Sequence, residues 1–353
     1  ALAGAASAVP AFNVHARANR KLGTRLFGLL WTQFFDDYPQ LDLCRAGDAS
    51  QLAAERFFDL LGWKVSMKEK KRLPFATVFD VLGVQVDLND SCENVITIGN
   101  KPGRIDDIEE VINGLVAEGK CSQSSAASLH GKFVFSESQV FSRLGCMMMG
   151  ELKARSTGLV THGRMTKALA DELRAMVGCL RLAKPRKLIA ADTREPLLIF
   201  TDAALEGKLA TAGMMMFDRS DGVTEMAGGV VESDTVKMLS LNSEHIINSL
   251  ELVPVYTALC QWSDRMLHRR VFVFIDNEAA RQTLISHSSA SRSMQAVLLP
   301  IAMKLAQMSA FMWFSRVPSL SNPADAPSRL IFVGDACFGA KLVVTSFELP
   351  AMT

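Results

Sequence analysis

Four acidic side chains in the second half of the chain fall where a metal site could use them: Asp202, Glu251, Asp276 and Asp325. Two follow apolar runs that read as strands, one falls in the predicted first turn of a helix, and one lies in a proline-containing turn. Carboxylate oxygens at such rigid positions are the hard ligands that Mg²⁺ prefers. Two such ions about 4 Å apart can activate a water and stabilise the leaving oxygen of a phosphodiester. The pattern predicts a metal-dependent hydrolytic site.

Each of these residues also has an ordinary structural interpretation. An aspartate after a buried strand is often a turn former or a helix N-cap, and Asp276 with Asn277 suits that role. A lone glutamate such as Glu251 in a first helical turn is usually a surface residue that the helix dipole favours. The ordered set of four is therefore a stronger indication than any one member.

The elements that must position these carboxylates follow from the hydrophobic pattern. Strands are predicted at 197–201, 212–217, 226–232, 271–275 and 311–317, and helices at 249–262, 278–285 and 294–308 before a short final helix. This order of strands and helices indicates an α/β domain with a five-stranded sheet.

The segments around the carboxylates resemble the RNase H domain of retroelements over residues 197–330. The matching segments are Phe200-Thr201-Asp202-Ala203, Leu250-Glu251-Leu252, Phe274-Ile275-Asp276-Asn277-Glu278-Ala279-Ala280 and Asn322-Pro323-Ala324-Asp325-Ala326-Pro327-Ser328-Arg329. The resemblance implies a mixed sheet with flanking helices, and two Mg²⁺ ions, with Mn²⁺ as a substitute, held by the four carboxylates. It also implies cleavage of the RNA strand of an RNA:DNA hybrid, leaving a 3′ hydroxyl and a 5′ phosphate, with Asn277 contacting nucleic acid.

Two departures from that family's pattern concern the surroundings of the site. The loop at 317–321, before the last carboxylate, has no histidine, so the proton-transfer aid of many RNase H enzymes is absent. Pro254 follows Glu251 closely, where it would remove a helix hydrogen bond unless it falls in the first turn.

The N-terminal part of the chain carries a second resemblance. Phe34-Phe35-Asp36-Asp37-Tyr38-Pro39 resembles the hairpin of reverse transcriptases in which paired aspartates, here Asp36 and Asp37, face metal ions. Flanking matches at 8–13, 60–63, 68–71, 81–84, 129–133 and 141–143 resemble other parts of the same polymerases, including those of DIRS-like and LTR-type retrotransposons. The resemblance implies an N-terminally truncated palm without its upstream aspartate, which alone should not polymerise.

Together these readings give an α/β and α+β multidomain protein. The expected divisions are a partial reverse transcriptase palm (1–92), a helical thumb or connection with a basic linker (93–187), an RNase H-like domain (188–332) and a C-terminal tail (333–353). Alternatives are a degenerate or domesticated element that binds nucleic acid without catalysis, and an integrase or sugar kinase with a related sheet. The segment at 202–207 is a poor phosphate-binding loop for a kinase.

Composition sets the remaining expectations. Hydrophobic residues make up 49% of the chain and charged residues 21%, which is typical of folded proteins. The net charge is +1, so nucleic acid must bind at local patches. The candidates are Arg181, Lys184, Arg186, Lys187 and Arg292. The seven cysteines show no disulfide or zinc spacing, and no run is long enough to span a membrane, so an intracellular location without membrane partners is expected.

Overall fold

The computed structural model describes residues 8–66, 68, 72–139, 149–240, 246–289 and 291–350. The chain separates into two compact units, Ala1–Leu82 and Gly83–Thr353. The motif matches at 69–71 and 141–143 lie outside the described residues. None of the helices in the described part of the chain combines the length and apolar character that a membrane crossing requires.

The first unit has a small aromatic core. Its elements are α1 Ala8–Phe27, β1 Leu30–Trp31, β2 Gln40–Leu41, a 3₁₀ turn Cys44–Ala46, α2 Gly47–Leu60 and β3 Val78–Val81. Trp31, Phe57 and Phe58 are buried together. Gly23 lets α1 approach them, because a Cβ there would lie 2.1 Å from the Trp31 ring.

In the N-terminal part of the chain, the apolar pattern predicts strands at residues 63–66 and 78–87, and the structure differs at both. Residues 63–66 are irregular rather than extended strand. The predicted strand at 78–87 is divided into β3 and Val84–Asp87, since Leu82 and Gly83 both have positive φ angles and turn the chain. The glycine adopts this conformation without strain.

The second unit begins with a strand and helix assembly. Its elements are β4 Val84–Asp87, a 3₁₀ turn Ser91–Glu93, β5 Val95–Asn100, α3 Arg104–Glu118, α4 Gln123–Gln139, α5 Gly150–Ser156, α6 Lys167–Leu182 and β6 Arg186–Ile189. The helical spacing of apolar residues in α6 predicts a buried face, and this is confirmed at Leu169, Leu173, Met176, Val177 and Leu180.

The interpretation of residues 184–187 as a solvated linker was wrong for its second half. Residues Arg186–Ile189 form β6, which pairs antiparallel with β5 in a register that places Arg186 opposite Ile98. The partner strand, β5, lies far earlier in the chain. The local sequence around Pro185 therefore could not indicate this pairing.

The remainder of the second unit is a mixed sheet with helices. Its strands are β7 Leu197–Glu206, β8 Leu209–Asp218, β9 Val223–Val230, β10 Arg270–Ile275, β11 Phe311–Arg316 and β12 Lys341–Leu342. Its helices are α7 Ser233–Ser240, α8 Ile246–Leu250, α9 Val253–Gln261, α10 Ser263–Met266, α11 Glu278–Ser286, α12 Arg292–Met308 and α13 Asp325–Ser328, with 3₁₀ turns Ser319–Ser321 and Asp335–Cys337.

The strand order in this sheet is β11-β10-β7-β8-β9-β12. Strands β7, β8 and β9 form an antiparallel meander, whereas β10 runs parallel to β7 and β11 runs parallel to β10. The sheet has six strands rather than the five expected, because the two-residue strand β12 adds to β9. Alternate residues of β7 and β10, such as Ile199 and Val273, are buried in the core with residues of α9 and α12.

Candidate metal centre

The parallel register of β7 and β10 brings two aspartates to the same level of the sheet. Thr201 pairs with Ile275, so the next residues, Asp202 and Asp276, follow side by side. One step earlier in the same register, the rings of Phe200 and Phe274 stack with centroids 4.6 Å apart. The apolar runs form the two strands, and the register of the strands is sufficient to place the two aspartates side by side.

Glu251 reaches the same place from a turn between two helices. The sequence predicts a single helix at 249–262 with Glu251 in its first turn, and this was wrong. Helix α8 ends at Leu250, and α9 begins at Val253 with Pro254 in its first turn. Proline lacks an N–H and is tolerated there, so it marks the start of the second helix.

The three carboxylates form one compact group. A carboxylate oxygen from each of Asp202, Glu251 and Asp276 lies within 4.8 Å of the others, and no other group of three metal-ligating side chains of this kind occurs among the described residues. Asp202 and Glu251 are buried, and Asp276 is half-buried. Within the described part of the chain, Glu251 Oε2 and Asp276 Oδ1 are buried without a hydrogen-bond partner.

These features fit a hard divalent cation. Buried oxygens without partners are energetically costly, and a metal ion would satisfy them. Burial raises the pKa of Asp202 to about 6, which the Ser328 hydrogen bond opposes and the charges of Asp276 and Asp325 reinforce. Burial, followed by the charges of Asp202 and Asp276, raises the pKa of Glu251 well above its usual range. When ionised, the group therefore concentrates negative charge that either protonation or a nearby cation would relieve.

Asp325 lies beside this group but outside it. Its carboxylate accepts a hydrogen bond from Arg329 Nε at 2.9 Å, and its side chain is 45% exposed. It is still close enough for its charge to raise the pKa of Asp202. The structure thus brings together three of the four expected ligands and places the fourth at their edge.

Two glycines that sequence analysis did not single out allow Asp325 to come this close. A Cβ on Gly213 would lie 2.2 Å from the backbone nitrogen of Ser328, and one on Gly228 would lie 2.1 Å from the carbonyl oxygen of Pro327. These glycines pair with each other across β8 and β9 and leave room for α13. The buried Ser328 hydroxyl then donates to Asp202 Oδ2 at 2.5 Å. The signal available in the sequence was a glycine inside each of two predicted strands, Gly213 in one and Gly228 in the next.

Asn277, the residue expected to contact nucleic acid, makes two side-chain hydrogen bonds within the protein. Its Oδ1 accepts from the backbone N–H of Ala280 and caps α11, as its alternative reading predicted. Its Nδ2 donates to Asn248 Oδ1 at 2.9 Å. Both functional groups of the side chain are therefore used within the protein.

Asp36 and Asp37 lie in the other unit, at the end of a hairpin. Strands β1 and β2 pair antiparallel, and the backbone N–H groups of Phe34 and Asp37 each donate to the other residue's carbonyl oxygen at 3.0 Å. Both aspartates are exposed. Among the residues that the structure describes, neither belongs to a group of three possible metal ligands.

The five basic candidates divide into exposed and engaged side chains. Lys184, Lys187 and Arg292 are exposed. Arg181 forms ion pairs with Asp106 and Glu109 at 2.8 and 2.5 Å. Arg186 is buried, donates to the carbonyl oxygen of Ala310, and has its pKa lowered to about 10 by that burial.

Comparisons with known proteins give only weak likenesses. No family model matches the chain, and no curated protein matches it. Among solved structures, RNase H1 from Halobacterium salinarum is 16% identical, over 38% of this chain and 94% of that one, with a TM-score of 0.29. A foamy viral protease-reverse transcriptase in complex with an RNA/DNA hybrid is 15% identical, over 96% of this chain and 40% of that one, with a TM-score of 0.41.

A second foamy viral protease-reverse transcriptase structure, in complex with double-stranded DNA, is 14% identical over 88% of this chain and 50% of that one, with a TM-score of 0.41. The chain thus spans half or less of these viral proteins. All three TM-scores lie below 0.5.

Proposed function

We propose that this chain is a Mg²⁺-dependent RNase H-type endonuclease that cleaves the RNA strand of RNA:DNA hybrids. The observation that supports this most is the group formed by Asp202, Glu251 and Asp276, whose carboxylate oxygens lie within 4.8 Å of one another. Two of its buried oxygens have no hydrogen-bond partner among the residues that the structure describes. Such a group is costly to fold without a cation, and sites that activate water for phosphodiester hydrolysis hold their ions with carboxylates.

Each carboxylate has a defined part in this proposal. Asp202 and Asp276, level with each other on adjacent strands, would hold the divalent ions, and Glu251 would hold one of them from the helix turn. Asp325 would complete the second site after its bond to Arg329 opens. Bound Mg²⁺ would supply Lewis acidity and lower the pKa of a bound water. The protein contributes fixed oxygen ligands and, through Ser328, a fixed orientation of Asp202.

The broader assignment extends the sequence resemblance. We infer that the chain derives from a retroelement reverse transcriptase and RNase H polyprotein, with residues 1–92 as a partial palm, 93–187 as a connection and 188–332 as the nuclease. Asp36 and Asp37 would be the remnant of the polymerase metal site. Nucleic acid would be the partner, and the 2′ hydroxyl would distinguish RNA from DNA.

A substrate panel tests this function. The full chain is incubated in Mg²⁺ with an RNA:DNA hybrid, double-stranded DNA and single-stranded RNA, with either strand labelled. We expect cleavage of the RNA strand of the hybrid alone, leaving a 3′ hydroxyl and a 5′ phosphate. Binding of the hybrid without cleavage in Mg²⁺ or Mn²⁺ would contradict the nuclease and support the alternative of a domesticated nucleic-acid-binding protein.

A further inference from the structure

Asn277 directly follows Asp276 and connects it to a different part of the site. Its side-chain oxygen accepts from Ala280 N at 2.9 Å, and its side-chain nitrogen donates to Asn248 Oδ1 at 2.9 Å. A backbone N–H can only donate, so the atom of Asn277 that faces Ala280 must be the oxygen. The amide orientation, and with it the direction of the bond to Asn248, follows from that contact.

Asn248 lies in α8, which ends immediately before Glu251. This helix has five residues, and the backbone N–H of Glu251 donates to the carbonyl oxygen of Ile247 at 3.0 Å. The position of Glu251 therefore depends on the position of α8. The amide pair joins α8 to the end of β10, where Asp276 lies.

The other contacts of this region do not make the same connection. The buried Ser249 hydroxyl shares a hydrogen bond of 2.8 Å with Ser293, which joins α8 to α12. Glu251 also accepts a backbone hydrogen bond from Ala203, which joins it to β7 beside Asp202. Among the side-chain hydrogen bonds that the structure shows, the one between the two asparagines links the α8 segment to β10.

The hydrogen bond between Asn248 and Asn277 can offset the repulsion between two neighbouring carboxylates. When both are ionised, as metal binding would require, Glu251 and Asp276 carry like charges in a site of low dielectric constant, where repulsion is strong. A neutral amide pair can oppose that repulsion without offering a competing cation. Partners outside the ligand set commonly orient metal ligands in this way.

We propose that Asn248 and Asn277 are positioning residues that hold Glu251 and Asp276 at metal-binding distance. This inference rests on the proposed metal site and assigns Asn277 to metal positioning rather than to a nucleic-acid contact. It predicts that breaking the amide pair weakens metal binding while the helix cap and the three ligands remain.

The test measures Mn²⁺ affinity by titration calorimetry with the full chain. Asn277→Ser keeps an N-capping oxygen but removes the amide donor, because serine is as good an N-cap as asparagine. Asn248→Ala removes the acceptor. We expect each change to weaken Mn²⁺ binding by about tenfold, as is usual when a partner of a metal ligand is lost. The double variant should be no weaker than either single one, since both remove one bond.

Ser249→Ala is the matched control, since it breaks a buried hydrogen bond of the same short helix on its α12 side. Its Mn²⁺ affinity should stay within about twofold of the wild type, even where its unfolding midpoint falls as far as that of Asn248→Ala. Unchanged affinity in both asparagine variants, or an equal loss in Ser249→Ala, would overturn the inference. A wild-type chain that binds no Mn²⁺ would instead overturn the proposed function itself.

Discussion

At the scale of single residues, the burial of Asp202 and Glu251 makes the ionised form of each carboxyl group costly in the folded protein. Both are carboxyl groups with raised pKa values in the folded protein, and that of Asp202 is about 6 against an ordinary value of 3.8. Without a cation, the folded protein therefore binds these protons more tightly than the unfolded chain does. In the proposed function, a bound divalent ion would offset this cost.

The raised pKa of Asp202 predicts that the stability of the protein in chelator depends on pH. The contribution from the Asp202 proton is fully present below pH 3.8 and is lost as pH rises through 6. Asp202→Asn has no such proton. Between pH 4 and pH 8 its free energy of unfolding should therefore improve relative to wild type by on the order of 2 kcal/mol.

Urea unfolding of both proteins in chelator measures this difference. Saturating Mg²⁺ at pH 8 should stabilise the wild type more than Asp202→Asn. A stability difference that stays constant from pH 4 to pH 8 would show that Asp202 does not carry the raised pKa.

At the scale of elements, the contact of α13 with the sheet depends on glycine. Gly213→Ala would place a Cβ against the backbone of Ser328, and backbone cannot move aside as a flexible side chain can. We expect a loss of about 1 to 3 kcal/mol in the free energy of unfolding, together with reduced hybrid cleavage.

Gly178→Ala in α6 is the control for this substitution, since among the described residues no atom outside the neighbouring backbone of α6 lies within 4 Å of the added Cβ. It should leave cleavage unchanged and stabilise the helix by up to about 1 kcal/mol. Denaturant unfolding and initial cleavage rates measure both effects. Wild-type behaviour of Gly213→Ala would contradict the close approach of α13.

The basic residues fall into two groups, those that are exposed to solvent and those that make contacts within the protein. Lys184, Lys187 and Arg292 are exposed, and if each contacts a phosphate, its replacement by glutamine should make the salt dependence of hybrid affinity shallower by roughly 0.9 on a B-DNA scale. Arg181→Gln should instead loosen α6 from α3, because Arg181 pairs with Asp106 and Glu109.

Affinity measured against salt concentration distinguishes these cases. An unchanged slope after the three exposed replacements would leave Lys184, Lys187 and Arg292 as ordinary surface residues, and the nucleic-acid path would run elsewhere.

Sequence reasoning could place those carboxylates whose positions depend on local pattern. The apolar runs before Asp202 and Asp276 predict strands, and the parallel register of those strands aligns the two residues. Asp276 directly follows β10 as expected, whereas Asp202 lies within β7, because that strand continues to Glu206 through its pairing with β8. It could not place features that depend on distant partners. The pairing of β6 with β5, the room that Gly213 leaves for α13, and the contact between Asn277 and Asn248 each join segments far apart in the chain.

At the scale of the whole molecule, the proposed chemistry lies in one of the two units. Asp202, Glu251 and Asp276 all belong to the unit of residues 83–353, whereas Asp36 and Asp37 belong to the other. With a net charge of only +1, the molecule has no strong overall field to attract nucleic acid. Hybrid recognition should therefore depend on local cations and on the metal site.

The most direct test of this account is the Mg²⁺-dependent cleavage rate of an RNA:DNA hybrid by wild type and by Glu251→Gln. The substitution keeps the shape of a buried side chain and removes the charge that we assign to metal binding. Losing a ligand of a hydrolytic metal site removes several kcal/mol of transition-state stabilisation, so the rate should fall by at least about a hundredfold. The double variant Asp36→Asn and Asp37→Asn should cleave at the wild-type rate. Wild-type cleavage by Glu251→Gln would contradict the assignment of this carboxylate group as the catalytic metal site.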